Sequence, residues 1–322
     1  MEKNIIENKE LKGKSMANII LGYRQDTDKR GVPIMTYSNS THDALTDMGH
    51  RVVPMGEGHK YVRFDDMLDG MIRQADLFID LDCGRNEKGT LSFHCTEKRA
   101  PIPSAVRFID THGYPSFHKR AAKNYDHVFF AVYDKRDIFT HHDSVHWCPN
   151  ASDAKYFDRY VLPDLHESRP FDVGFFGSKG GIDRADVLKP MAARHTWTPD
   201  IREIGKNGNR WPRTAEAMAR CKVLYNRGQK HDGPNQRVIE SMLMQRPLVT
   251  DRDGRDGMKE LFEEGEHYLG YSSESELSNN IEWCLREPSL AGSMAKRAYD
   301  LAVSKHQVKH RVEQILEVCD VK

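Results

Sequence analysis

Residues 222–251 read KVLYNRGQKHDGPNQRVIESMLMQRPLVTD. The apolar run 223–226 has the length of a buried strand and ends at Asn226. A polar loop with Gly228 and Gly233 follows. Pro234 then opens a helix expected over 235–244, where its fixed φ and missing N–H cost nothing. The run 247–250 returns as a strand. Strand, loop, helix and strand in this order form the unit of a parallel sheet, whose neighbouring strands need a crossover helix.

The same unit recurs on both sides. Upstream, strands are expected at 173–176 and 201–204, with helices at 183–194 and 212–220. Downstream, helices are expected at 258–262, 274–286, 289–303 and 307–318. The N-terminal half repeats the rhythm. Strands are expected at 18–23, 51–54, 77–81, 105–109 and 127–132. Helices are expected at 41–48 behind a Ser40 cap, at 66–74 behind an Asp65 cap, and at 135–140. Gly49 sits where a helix ends on a left-handed residue. Between Pro149 and Pro170 the rhythm stops in a polar stretch, which reads as a connection with a short helix. The chain is therefore expected to be α/β, with two consecutive parallel-sheet domains. Sheets of this kind bind ligands beyond the carboxyl ends of their strands, so the site is expected in the cleft between them.

Three stretches could carry chemistry there. In the first, the free amides and dipole at the 235–244 helix start favour an anion such as a phosphate. Arg237 in the first turn adds a possible bidentate contact. Glu240 lies three residues on, hence on the same face, and suits two vicinal hydroxyls such as those of a ribose. Asp232, eight positions before Glu240, stands at the mouth of the cleft. The plain alternative is a capped helix whose Arg237 and Glu240 form a surface ion pair. In the second stretch, FDVGFFGSKGGIDR at 171–184, a strand runs into Gly177 and Ser178 before a helix. Such a turn lets backbone approach a ligand closely, and an ordinary strand-to-helix turn gives the same pattern. In the third, RFIDTHGYPSFH at 107–118, a strand end delivers Asp110 and His112. Asp110 could serve as a general base on an acceptor hydroxyl, with His112 orienting it or binding phosphate. Its plain alternative is an Asp capping a turn.

Composition narrows the class. The chain has 322 residues, with 48 Lys+Arg against 48 Asp+Glu. Divided after residue 165, it carries 23 basic and 24 acidic residues before the cut and 25 and 24 after it. Neither half is a basic domain, which argues against bulk nucleic-acid coating but not against a local groove. The run His118, Lys119, Arg120 with Lys123 is a short basic face that could track a phosphate backbone. No apolar run approaches the ~20 residues that span a bilayer, and residues 1–15 lack an apolar signal core. A cytoplasmic protein without a membrane partner is expected, with residues 1–15 outside the folded part. The six cysteines are scattered without a C-x-x-C pair, which suits reduced thiols. His141, His142, Asp143 and His146 look like a metal cluster, but no second ligand group supports zinc, and a solvated loop is expected.

Residues 171–311 resemble the C-terminal half of the CgeB-like, or group 1, glycosyltransferases of the GT-B fold, found in spore formers and phages. FDVGFFGS followed by Arg184, KVLYN, DGPNQRVIESMLMQRPLVTD, LFEEGEHYLGYSSESEL and KHQVKHRVEQIL occur in the family's order. Gln245 and Arg246 replace the usual small residues. The first half matches more loosely, through IDTHG and NYDHVFFAVYD. The resemblance implies two Rossmann-like domains facing across a cleft. It implies an acceptor-side domain over 1–160, a donor domain over 161–305 and a terminal helix, 306–322, returning to the first domain. It implies a nucleotide-sugar donor, UDP-linked by preference, held by Gly177, Ser178, Arg184, Asn226, Gly233, Asn235, Arg237 and Glu240. Asp232 would take the place of the first Glu in the acidic pair of related retaining enzymes and touch the sugar. Asp110 as a base would instead suit inversion. No essential metal is expected, because helix dipole and cations stabilise the leaving diphosphate.

The acceptor stays open between a hydroxymethylated pyrimidine in DNA and a polysaccharide, a protein or a small molecule. A sugar-nucleotide epimerase and a binding protein without chemistry are the other classes.

Overall fold

The computed structural model describes residues 16–25, 36–81, 98–161, 169–177, 184–203, 211–228, 234–252 and 256–321. The first sheet contains β1 (Asn18–Gly22), β2 (Arg51–Met55), β3 (Leu77–Leu81), β4 (Ser104–Phe108), β5 (His127–Phe130) and β6 (Val145–Trp147). Their order is β2-β1-β3-β4-β5-β6, and every pairing is parallel. The helices of this half are α1 (Tyr37–Asp47), α2 (Asp69–Arg73) and α3 (Pro115–Ala122). The second sheet contains β7 (Phe171–Gly177), β8 (Pro199–Glu203), β9 (Cys221–Asn226), β10 (Leu248–Asp251) and β11 (Leu269–Tyr271). Its order is β11-β10-β9-β7-β8, again parallel. Here the helices are α4 (Leu188–His195), α5 (Trp211–Ala219), α6 (Gln236–Leu243), α7 (Asp256–Leu261), α8 (Glu274–Arg286), α9 (Pro288–Lys305) and α10 (Val308–Val318).

The central strands of each sheet are buried on both faces, as parallel sheets require, while the edge strands β2 and β6 are partly exposed. Along β1 the side chains alternate: Ile19 and Leu21 join one apolar cluster, and Ile20 joins another. The first of these clusters runs from the first sheet through Ala151, Ala154 and Phe157 into Met218, Leu224 and Val238 of the second half. The connecting segment is thus part of the core. On the outer face of the second sheet, Val173, Val223 and Val249 pack against Leu188, Leu277 and Ile281. Helix α10 crosses back to lie against α1, burying Val312 and Ile315.

Several local expectations need correction. Helix α1 starts at Tyr37 behind Thr36, whose backbone and hydroxyl both bond Asn39, so Ser40 is buried inside the helix and does not cap it. The helix expected from Asp66 is instead a 3-10 turn over Phe64–Asp66 followed by α2. The Asp66 carboxylate accepts from the amides of Val62 and Arg63, a local bond that competes with the helix. Helix α3 and strands β6 and β11 were absent from the sequence expectations. The connecting stretch holds two 3-10 turns, Ala154–Tyr156 and Asp158–Tyr160. Cys148, Cys221, Cys284 and Cys319 are free thiols; Cys83 and Cys95 lie outside the described residues. Among the described residues no helix is long and apolar enough to cross a membrane.

Candidate functional site

Three carboxyl-end features of the second sheet meet at one place: the end of β7, the end of β9 and the start of α6. Asn226, the last residue of β9, is 1% exposed. Its amide donates to Thr250 Oγ1 at 3.0 Å, and its Oδ1 accepts from Asn235 Nδ2 at 3.4 Å. Thr250 in turn donates to Asp251 at 3.4 Å, and Asp251 accepts from the Gly228 amide at 3.0 Å. This chain of bonds fixes the loop start relative to β10.

Asn235 occupies the N-cap of α6 with extended backbone but makes no side-chain cap bond. An asparagine there would ordinarily accept from the first-turn amides. Its amide group is turned to Asn226 instead, and its buried Oδ1 has no hydrogen-bond partner among the described residues. Among the described residues no side chain caps this helix start, which suits an external anion.

Arg184 and Arg237 supply the charge. Arg184 is 8% exposed, lies 5.6 Å from the Phe175 ring centroid and donates to the Arg227 carbonyl at 3.2 Å. Tyr225 holds the Arg184 backbone carbonyl at 3.3 Å. A Cβ on Gly177 would stand 2.9 Å from Arg184 Nη2 and 2.8 Å from Phe175 Cζ, so a side chain there would displace the Arg184 guanidinium or the Phe175 ring. Burial, with the neighbouring Arg184 charge, pulls the Arg237 guanidinium down to about 9. Two neighbouring cations in a largely buried place favour a bound anion. Arg237 Nη1 is bonded to the Glu240 carboxylate, and its Nε has no partner among the described residues. The ion pair of the plain alternative is formed, but it is not a surface pair: the side chains are only 17% and 4% exposed.

Of the expected donor residues, Gly177, Arg184, Asn226, Asn235, Arg237 and Glu240 therefore form one group. Ser178, Gly233 and Asp232 lie outside the described residues. Asp110 and His112 stand on the first sheet, in the turn that follows β4. Asp110 is exposed, and its carbonyl accepts from the Gly113 amide at 2.9 Å. His112 is half-buried.

The basic face needs correction at one position. His118 is fully buried, stacks on Phe108 at 4.4 Å and bonds Thr111 Oγ1 at 3.2 Å. Burial, with His112 close by, pulls it down to about 3, so it is neutral. Lys119, Arg120 and Lys123 remain exposed. The histidine-rich loop is internally bonded. His142 accepts from the Ser144 amide at 3.1 Å, and its other nitrogen bonds the Tyr125 carbonyl at 2.9 Å. Ser144 Oγ bridges His127 and His146. Among the described residues no group of His, Cys, Asp and Glu has the arrangement of a metal site.

The two halves touch beside the α6 start. Asn150, after β6, donates to the Pro234 carbonyl at 3.4 Å. Arg107 of β4 reaches Asn150 Oδ1 and the carbonyls of Cys148 and Pro149, each at 3.3 Å, with Tyr37 stacked on its guanidinium at 4.2 Å. Arg311 of α10 donates to the same Pro149 carbonyl at 3.1 Å and to His306 at 2.9 Å. A Cβ on Gly257 would meet Pro234, Tyr133 and Trp147 at 3.0, 3.0 and 3.2 Å. Arg107, Asn150 and Gly257 were missed by the sequence reading. Their roles arise from contacts between halves far apart in sequence, for which local spacing carries no signal.

Residues 184–317 match the family model described as glycosyl transferase-like. The whole chain is similar in structure to HepE of Anabaena in complex with UDP, with a TM-score of 0.63 at 14% identity, covering 95% of this chain and 100% of that one. It is also similar to the DNA modifying enzyme beta-glucosyltransferase, solved in the presence and absence of uridine diphosphoglucose. There the TM-score is 0.60 at 12% identity, with 94% of this chain and 99% of that one covered. The T4 phage BGT in complex with UDP and Mn2+ gives 0.58 at 11% identity, covering 94% and 99%. A sequence comparison with curated proteins finds no match. The fold is that of the GT-B glycosyltransferases.

Proposed function

We propose that the protein is a glycosyltransferase of the CgeB-like group that moves a sugar from a UDP-sugar to a hydroxyl acceptor. The observation that carries this reading is that Arg184, Arg237 and the start of α6, whose N-cap Asn235 makes no side-chain cap bond, are neighbours at the end of the second sheet. Departure of a nucleoside diphosphate concentrates negative charge on its phosphates, and preorganised cations and helix amides stabilise that charge as it develops. Glu240 takes the ribose hydroxyls, and Asn235 and Arg237 take the diphosphate. Neighbours of the same fold were solved with UDP, which supports uridine as the nucleoside of the donor.

The reading divides the chain into an acceptor-side domain, 1–160, a donor domain, 161–305, and a closing helix, 306–322. On the acceptor side, Asp110 removes the proton of the attacking hydroxyl, and His112 orients the carboxylate. The oxygen forms the new bond at the anomeric carbon as the bond to the diphosphate breaks, and the configuration inverts. Asp232, in the loop before α6, touches the donor sugar. The leaving group is stabilised without an essential metal, and the reaction belongs to the cytoplasm.

A 5-hydroxymethyl-pyrimidine in DNA is the acceptor this reading favours. Exposed Lys119 and Arg120 of α3 and its C-cap Lys123 follow Asp110 and His112 in the chain and suit a phosphate backbone. A DNA modifying glucosyltransferase is among the structural neighbours. Calorimetric titration of UDP into wild type, Arg237→Ala and Glu240→Ala tests the donor site; equal affinity in all three removes it. Incubation of hydroxymethylated duplex DNA with a panel of UDP-sugars tests the acceptor. Transfer only to polysaccharide or protein would replace DNA, and product from the nucleotide sugar alone would indicate an epimerase.

A further inference from the structure

Arg107 of β4 is 1% exposed, and a guanidinium is costly to bury unless its donors are met. Its Nη2 meets acceptors on three consecutive residues: the carbonyls of Cys148 and Pro149 and the side chain of Asn150. The Tyr37 ring covers the guanidinium. We propose that Arg107 is a positioning residue for the diphosphate site, acting across the junction through Asn150 on the start of α6. The inference rests on the reading of that helix start as the donor site.

A guanidinium only donates, so it holds the Asn150 side chain by its oxygen. The NH2 end of the same amide is thereby left for the other side, where it meets the Pro234 carbonyl. Without Arg107 the amide could turn over and set its oxygen against that carbonyl, which repels it. The link therefore has a fixed polarity, from cation to amide to carbonyl. Holding the Pro234 carbonyl fixes more than one oxygen. The peptide joining Pro234 to Asn235 is planar and trans, so the Asn235 N–H points the opposite way, away from Asn150. Asn235 is the N-cap of α6, and its N–H belongs to the helix-start amides that can bind an anion.

The near end of the link is anchored too. Gln314 of α10 donates to the Trp147 carbonyl at 2.8 Å, Arg311 donates to Pro149, and the Val308 amide donates to the Ser152 carbonyl at 3.2 Å. The segment that carries Asn150 is tied to α10 on both sides, and Arg107 ties it to β4. The turn after β4 carries Asp110. One strand thus sets both the proposed base and the helix start that receives the phosphates.

The test is calorimetry with UDP and with uridine on the full-length wild type, Arg107→Lys, Asn150→Ala and the double variant, each checked by a thermal melt. Lysine keeps the charge but lacks the planar fork that orients the amide. Arg107→Lys should weaken UDP binding by about fivefold, the worth of the hydrogen bond it misplaces, and leave uridine binding as it is. In the Asn150→Ala background the same substitution should weaken UDP no further, because the link it acts through is already gone. A purely structural arginine would lower the thermal transition with UDP affinity intact, or add its loss to that of Asn150→Ala; either result overturns the relay. If Arg107→Lys gives no cooperative transition, Asn150→Asp decides. Its carboxylate keeps the Arg107 contact and is neutralised by it, but has no N–H for Pro234. This variant should melt cooperatively and lose about tenfold in UDP affinity, with uridine unaffected. Unchanged UDP affinity overturns the relay and leaves the donor site standing. Wild type that ignores UDP overturns both.

Discussion

The side-chain amide of Asn150, just after β6, donates to the backbone carbonyl of Pro234, the residue that leads into α6. The start of the candidate diphosphate site is thereby positioned from the opposite half of the molecule. Asn150→Ala is expected to weaken UDP binding by about 1 kcal/mol, roughly fivefold, the net worth of one hydrogen bond. Isothermal titration checks the size, and a parallel thermal melt separates lost positioning from lost stability.

Gly257 closes the same junction by its lack of a side chain. Gly257→Ala pushes a methyl into Pro234, Tyr133 and Trp147 and should cost about 1–3 kcal/mol, the range for overpacking. Gly292, in α9, has nothing within 4 Å of an added Cβ, and Gly292→Ala should stabilise by about 0.5–1 kcal/mol. Differential scanning calorimetry of the pair should give transitions that move in opposite directions.

Asp110→Asn should lower the transfer rate by roughly a hundredfold to ten-thousandfold, the usual contribution of a general base. UDP affinity should be unchanged, because the residue stands on the other sheet. Steady-state kinetics with the identified acceptor, beside a UDP titration, separates the two. A variant with wild-type turnover would assign the proton transfer elsewhere.

Two buried histidines set an acid limit on stability. Burial is the main cause at both: His118 and His306 are pulled from 6.5 to about 3. The unfolded chain binds these protons more readily than the folded one. Their contribution is therefore complete above pH 6.5 and is lost progressively as the pH falls toward 3. Urea midpoints should decline from pH 7.5 to pH 5. His118→Gln should flatten that decline, whatever its midpoint at neutral pH.

Prolonged dialysis against EDTA should leave the transfer rate unchanged, since the reading assigns leaving-group stabilisation to Arg184, Arg237 and α6. A rate that collapses and returns with a divalent cation would reject that assignment.

The parallel α/β layout could be read directly, because runs such as 173–176 and 223–226 are strand-length, apolar and separated by helical patterns. The i, i+3 relation of Arg237 and Glu240 was equally local. Whether that pair was buried was not, since burial depends on β7 and Arg184, some fifty residues away. Strands β6 and β11 span three residues each, too few to show a period. The first helix was misplaced because Ser40 and Thr36 are both good caps, and only the bonds to Asn39 choose between them. His118 looked like part of a cationic surface because its neighbours Lys119 and Arg120 are; the helix turns it inward onto Phe108. Asn150 followed a proline in a polar stretch and carried no pattern.

The return of α10 onto α1 decides how the protein can be taken apart. The buried residues of α10, Val308, Val312, Ile315 and Leu316, share one apolar cluster with Tyr37, Ala44 and Leu45 of α1. The two halves are therefore not interchangeable modules. A fragment ending before residue 306 would uncover the α1 face it left behind, and an N-terminal fragment would lack its last covering helix. Domain exchange with a relative has to transplant the final helix together with the first half, as two separate pieces of sequence.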